Sequence, residues 1–118
     1  MKQGQRVPIL TVAFFKTDGG KEPVREWLKS LKREERKTIG EDLKTVQFGW
    51  PLGMPLIRKL EPGIWEVRSN ISRGIARVLF TVEGHSIVLL HGFIKKSQKI
   101  SRTDLQTARV RLVDLHKE

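Results

Sequence analysis

The chain has 118 residues, room for one folding unit with a real core and too little for a second of ordinary size. It has no cysteine, which excludes disulfides, thiolate metal sites and cysteine nucleophiles, and its three histidines, His85, His91 and His116, are too scattered to form a metal motif. Lys+Arg number 23 against 13 Asp+Glu, a formal net charge of +10. That imbalance suits a polyanion, nucleic acid first, because each neutralised phosphate releases counterions. No apolar run is long enough to cross a bilayer and the N-terminus lacks signal-peptide order, so a cytoplasmic protein with no membrane partner is expected.

In chain order, Val7 to Phe15 is rich in β-branched and aromatic residues and ends at Asp18-Gly19-Gly20, which predicts a buried strand followed by a turn. Pro23 then stands where a first helical residue would, and Val24, Trp27, Leu28 and Leu31 recur at helical spacing. A second helical pattern carries Ile39, Leu43, Val46 and Trp50 on one side, and Gly49 to Pro55, with two prolines and two glycines, breaks it. From Ile57 onward the period becomes two, predicting three strands over Ile64 to Arg68, Ile75 to Val82 and Ser86 to Ile94, joined by turns short enough for antiparallel hairpins. Thr103 to Lys117 closes the chain as a third helix striped by Leu105, Ala108, Leu112 and Leu115, with Ser101 or Thr103 to cap it and Asp104 near its positive end. The expected fold is one α+β domain over residues 1–118, β-α-α-β-β-β-α, an antiparallel sheet with helices packed on one face.

Strand alternation places Glu66, Arg68 and Arg77 on neighbouring strands of one face, away from the more apolar side that the first two helices cover. The bland account of this face is a set of solvent charges with a Glu66–arginine cross-strand pair. After the last strand, Phe93 to Arg102 is a dense basic segment between a sheet edge and a helix start, suited either to clamping a phosphodiester backbone or to being a solvated charge run. Trp27 and Trp65 follow inward phases and read as core; Trp50, beside Pro51, reads equally as packing or as a platform for a base or partner side chain.

Three motifs stand in order: Lys59-Leu60-Glu61-Pro62-Gly63-Ile64-Trp65-Glu66-Val67-Arg68, then Gly74-x-x-Arg77, then Leu90-His91-Gly92-Phe93-Ile94-Lys95-Lys96-Ser97-Gln98-Lys99. Together they resemble the phage-derived, Gp49-like, HigB-type branch of the RelE/ParE toxin superfamily over nearly the whole chain. The resemblance implies the toxin of a type II toxin–antitoxin system, a ribosome-dependent endoribonuclease that cuts mRNA without metal or cofactor. Its partners would be mRNA on the ribosome and a neutralising antitoxin, a helix-turn-helix protein encoded nearby. By the same resemblance Arg77 corresponds to a strand arginine that contacts the scissile phosphate and Lys96 to a basic position after the last strand, flanked by Arg68 and Lys95. Lys59, Arg73, Lys99 and Arg102 would hold RNA.

Proton transfer is less legible, because some relatives use a tyrosine or histidine in the C-terminal segment and this chain has no tyrosine. His116 lies late in the last helix; His91 alternates with Ile87, Leu89 and Phe93 and reads as a buried, hydrogen-bonded histidine; Glu66 sits between arginines that stabilise its carboxylate. A lysine is favoured, with Lys96 ahead of Lys95 and Lys99. Ser101 stands where relatives commonly carry proline and is compatible with a helix cap. Two other readings remain: a catalytically degenerate homologue acting as a basic RNA- or DNA-binding module, and a phage structural protein.

Overall fold

A computed structural model describes residues 9–51, 53, 55–95 and 101–117. Its elements are β1 (Thr11–Phe14), α1 (Pro23–Lys29), α2 (Arg33–Gly49), β2 (Ile57–Glu61), β3 (Ile64–Ile71), β4 (Gly74–Glu83), β5 (Ser86–Lys95) and α3 (Arg102–Leu115). Pro23 begins α1 as expected, with Val24 fully buried. At the start of α2 the Glu35 carboxylate accepts the Lys32 N–H (3.0 Å) and a two-pronged contact from Arg73 (2.6 and 3.0 Å), while Ile39, Leu43 and Val46 form the buried stripe. Ser101 caps α3, its hydroxyl accepting the Asp104 N–H at 3.1 Å.

The sheet runs β1-β5-β4-β3-β2, so β4 lies at its centre. The α+β class and the packing of helices on the sheet agree with the sequence, and three details differ from it. First, Ile57–Glu61 forms a fourth strand after the loop, paired antiparallel with β3 through the two-residue turn Pro62-Gly63, where Gly63 takes a positive φ of 83°. Five residues of mixed pattern become a strand only because β3 supplies partners. Second, β1 joins β5 in parallel, which makes the sheet mixed. Third, the helices are divided between the faces: α1 and α2 cover Val67, Val78, Phe80, Ile87 and Leu89, whereas α3 covers Ile64, Leu79, Val88 and Leu90. Both faces of the central strand therefore exclude water, and each fully buried Leu, Ile or Phe contributes about 1.5–3 kcal/mol.

One irregularity decides how β5 faces the two layers. Phe80 pairs with Leu89 but Leu79 pairs with His91, so Leu90 is an extra residue and the strand is bulged. Before the bulge Ile87 and Leu89 face α1 and α2; after it Gly92 and Ile94 do, and His91, Phe93 and Lys95 turn to the α3 side. Regular alternation had grouped His91 and Phe93 with Ile87 and Leu89, and the bulge overturns that grouping. The Leu90 carbonyl at the bulge accepts a hydrogen bond from Arg111 Nη1 of α3 at 2.8 Å. Burial of that guanidinium pushes its pKa down.

Gly92 has a strict packing reason, since a Cβ built there would overlap the Trp27 indole of α1. Gly92→Ala is expected to destabilise the fold by about 1–3 kcal/mol through overpacking, read as a lower urea midpoint. An unchanged midpoint would mean that α1 shifts without cost. Acid stability provides a second check. The hydrogen bond from Arg73 is the largest influence on Glu35 and outweighs the opposing effect of burial, so its pKa lies below its ordinary value of 4.5. The stabilisation is therefore complete above pH 4.5 and is lost as pH falls through the depressed folded value. Glu35→Gln should flatten the loss of stability below pH 4.5 relative to the parent, measured by urea unfolding at stepped pH; parallel curves would remove Glu35 from the acid transition.

Candidate functional site

On the α3 side of the sheet centre, Glu66 of β3 and Arg77 of β4 are both fully buried, and Arg77 Nη1 donates to Glu66 Oε2 at 2.9 Å. The other carboxylate oxygen lies 3.6 Å from Arg58 Nε of β2 and 3.9 Å from Arg68 Nε of β3. The register explains the need for the acid. Arg68 stands directly opposite Arg77, and like charges in that position repel unless a counter-charge sits between them. Solvent reaches the cations of this face in part: Arg58 at 35% exposure, Arg68 at 17% and, on β5, Lys95 at 30%.

A second cluster joins β5 to the start of α3. Asp104 Oδ1 lies 2.8 Å from His91 Nε2, and its Oδ2 accepts the Ser101 hydroxyl and faces Lys95 Nζ at 3.6 Å. Burial pushes the Asp104 pKa up, but the hydrogen bonds from Ser101 and His91 and the charges of His91 and Lys95 prevail and hold it below the usual carboxylate value. The His91 ring stacks on Phe93 with centroids 5.3 Å apart, and Phe93 stands directly opposite Arg77. The two clusters thus share one sheet face.

A family model described as Phage derived protein Gp49-like (DUF891) matches residues 26–113. The chain belongs to this family. No curated protein matches it. The matched span of this Gp49-like protein contains both charge clusters and leaves β1 outside.

Of the residues that the sequence singled out, Arg68, Arg77, Glu66 and Lys95 do come together on one face. They differ in exposure. Arg77 is sealed from solvent against Glu66, so in this conformation it supports the cationic surface instead of forming it. Glu66 is equally sealed from solvent. Lys59 lies on the opposite face, its ammonium 5.6 Å from the Trp65 ring, and Arg73 is bound to Glu35 of α2. Arg102 is exposed at the first residue of α3, and His116 pairs with Glu83 near the other end of that helix. Lys96 and Lys99 lie outside the described residues. Trp50 packs edge-on against Trp65 (5.3 Å) and Phe80 (5.7 Å), which settles it as a packing residue.

Sequence reasoning missed Arg58 and the partnership of Asp104 with His91. Arg58 reaches Glu66 only through the β2–β3 register, where the two residues are paired. Ser101 and Asp104 carried a signal as a helix cap, but their second role depends on the bulge. Among the described residues no group of three or more His, Asp or Glu stands together as a metal site, and no helix is long and apolar enough to cross a membrane.

The buried pair is testable by stability alone. Glu66→Leu should leave Arg77 charged in the interior and destabilise the fold by about 3–5 kcal/mol, whereas Glu66→Leu combined with Arg77→Leu should recover much of that loss. Chemical denaturation of the two singles and the double provides the cycle. A double variant as unstable as the sum of the singles would show that the two charges do not depend on each other.

Proposed function

We propose that this Gp49-like protein is an RNA-cutting toxin of the RelE/HigB-like kind, acting on mRNA at the ribosome and neutralised by an antitoxin that covers its basic face. The observation that carries the reading is the set of solvent-reaching cations, Arg58, Arg68 and Lys95, gathered on one sheet face beside a hydrogen-bonded histidine–aspartate pair. A net charge of +10 on 118 residues and the match of the three sequence motifs support it. Cleavage of RNA without metal uses the substrate's own 2′-hydroxyl as nucleophile. The protein must remove that proton, stabilise the extra charge on the five-coordinate phosphorus and let the 5′-oxygen depart.

Fixed cations supply the second of these. Arg68 is held in place by Glu66 beneath it and Lys95 by Asp104 beside it, so neither needs to reorganise as charge develops. Arg77 acts as a positioning residue: by neutralising and orienting Glu66 it fixes the carboxylate that anchors Arg58 and Arg68. The burial of Arg77 also favours a second reading, a basic RNA-binding module that does not cleave. Soluble expression in a bacterial host with growth arrest, relieved by the product of an adjacent gene, is the expected result for the toxin.

Single-turnover cleavage of ribosome-bound mRNA separates the two readings. Arg68→Ala and Lys95→Ala are expected to slow cleavage on the order of 10²-fold with smaller changes in RNA affinity, while Lys37→Ala, an exposed cation on α2, leaves the rate unchanged. Salt-sensitive RNA binding with no cleavage by the parent protein would establish the binding module instead.

A further inference from the structure

The bulge at Leu90 moves one imidazole from the helical core to the charged face, and that displacement has a chemical consequence. The His91 side chain is 18% exposed and its Asp104 partner 17%, so the pair is partly buried and partly open to solvent. Asp104 is held as a carboxylate by Ser101, His91 and Lys95, so it can only accept, and the proton between the two residues belongs to His91 Nε2. Neutral His91 then carries its lone pair on Nδ1, which takes no hydrogen bond among the described residues. The same carboxylate holds the Lys95 ammonium at 3.6 Å, which places imidazole and cation side by side.

We propose that His91, oriented by Asp104, is the general base that takes the 2′-hydroxyl proton when RNA is cleaved on this face. The proposal rests on the ribonuclease reading given above. The 2′-O–H proton passes to His91 Nδ1 while the 2′-oxygen forms its bond to phosphorus and the bond from phosphorus to the 5′-oxygen breaks. The 5′-oxygen takes a proton from water, and the hydroxide left behind takes the proton back from the imidazolium. The products are a 2′,3′-cyclic phosphate and a 5′-hydroxyl.

Asp104 is a positioning residue in this scheme. It selects the tautomer in which Nδ1 carries the lone pair and stabilises the imidazolium once formed. Lys95 and Arg68, on the same sheet face as His91, would receive the phosphate in this scheme. Glu66 is excluded from the role by its complete burial. A purely structural account, in which His91 does no more than tie α3 to β5, predicts the same hydrogen bond but not the same response to substitution.

His91→Gln keeps an N–H donor for Asp104 and removes the base. In single-turnover assays on ribosome-bound mRNA it is expected to lose on the order of 10²-fold or more in rate while RNA affinity and thermal midpoint stay near those of the parent. A substrate with bridging sulfur at the 5′ position, whose thiolate leaves without a proton, should not rescue the variant; rescue would make His91 the acid and overturn the assignment. Nitrogen-15 NMR of the parent protein gives a readout that needs no activity: the neutral ring is expected as the Nε2–H tautomer, and Asp104→Asn should erode that preference. An Nδ1–H tautomer in the parent overturns the proposal whatever the variants do. If the parent cleaves and His91→Gln cleaves equally well, the base assignment fails and the ribonuclease reading stands. If the parent binds RNA and leaves it intact, both fail.

Discussion

The single extra residue in β5 governs the arrangement of nearly everything around the sheet centre. Without the bulge, Leu90 would pair with Leu79, and His91 would point at Trp27 and Gly92 at α3. With it, the smallest residue meets the indole and the imidazole meets Asp104. A bulge disrupts the ladder locally, so it persists where its loosened groups find other partners. Arg111 supplies one by donating to the Leu90 carbonyl, and its guanidinium also lies over the Phe15 ring at 5.9 Å. The long side chain thus joins α3 to the bulge with both its charge and its plane.

The same helix closes the charged face at its other end. Ser101 serves both the backbone and the side chain of Asp104, so the residues that start α3 also order the His91–Asp104–Lys95 cluster. Helix start and site are one structure: a change that frays the first turn of α3 also releases the acid that orients the histidine. Farther along, Arg109 holds Glu61 at the β2–β3 turn with a contact of 2.7 Å, and its hydrogen bond is the main cause that depresses the Glu61 pKa. Polar ties at both ends and a short apolar stripe between them hold α3 in place, while Val110 and Val113 remain exposed on its outer side.

Beneath this surface the Glu66–Arg77 pair resolves a conflict that the strand register creates. Two arginines directly opposed on adjacent strands need a carboxylate within reach, and burying such a set is tolerable only when each charge has a partner. The result is a fixed base plate from which Arg58 and Arg68 reach solvent. A cationic surface built this way differs from a row of mobile lysines, because its charges are held by acidic neighbours on the sheet and on α3. That distinction is the physical ground for reading the face as a reaction site and not only as a polyanion-binding patch.

Much of this protein is determined by local patterns. The helical stripe of Ile39, Leu43 and Val46, the cap at Ser101, the turn at Pro62-Gly63 and the charged phase of Glu66, Arg68 and Arg77 all follow from short-range chemistry and are legible along the chain. The tertiary structure alone decided what depends on partners. It set the parallel pairing of β1 with β5, the recruitment of Ile57–Glu61 as a strand, and the division of helices between two faces. It also set the complete burial of Arg77 against Glu66. The reorientation of His91 belongs to the same class. Side-chain period in a strand is strictly two, so one unpaired residue reverses every position after it, and no feature of Leu89-Leu90-His91 announces which residue will be the extra one. That choice is made by the Trp27 ring on one side and by Arg111 and Asp104 on the other, residues more than ten positions away in sequence that meet β5 only once the helices have packed.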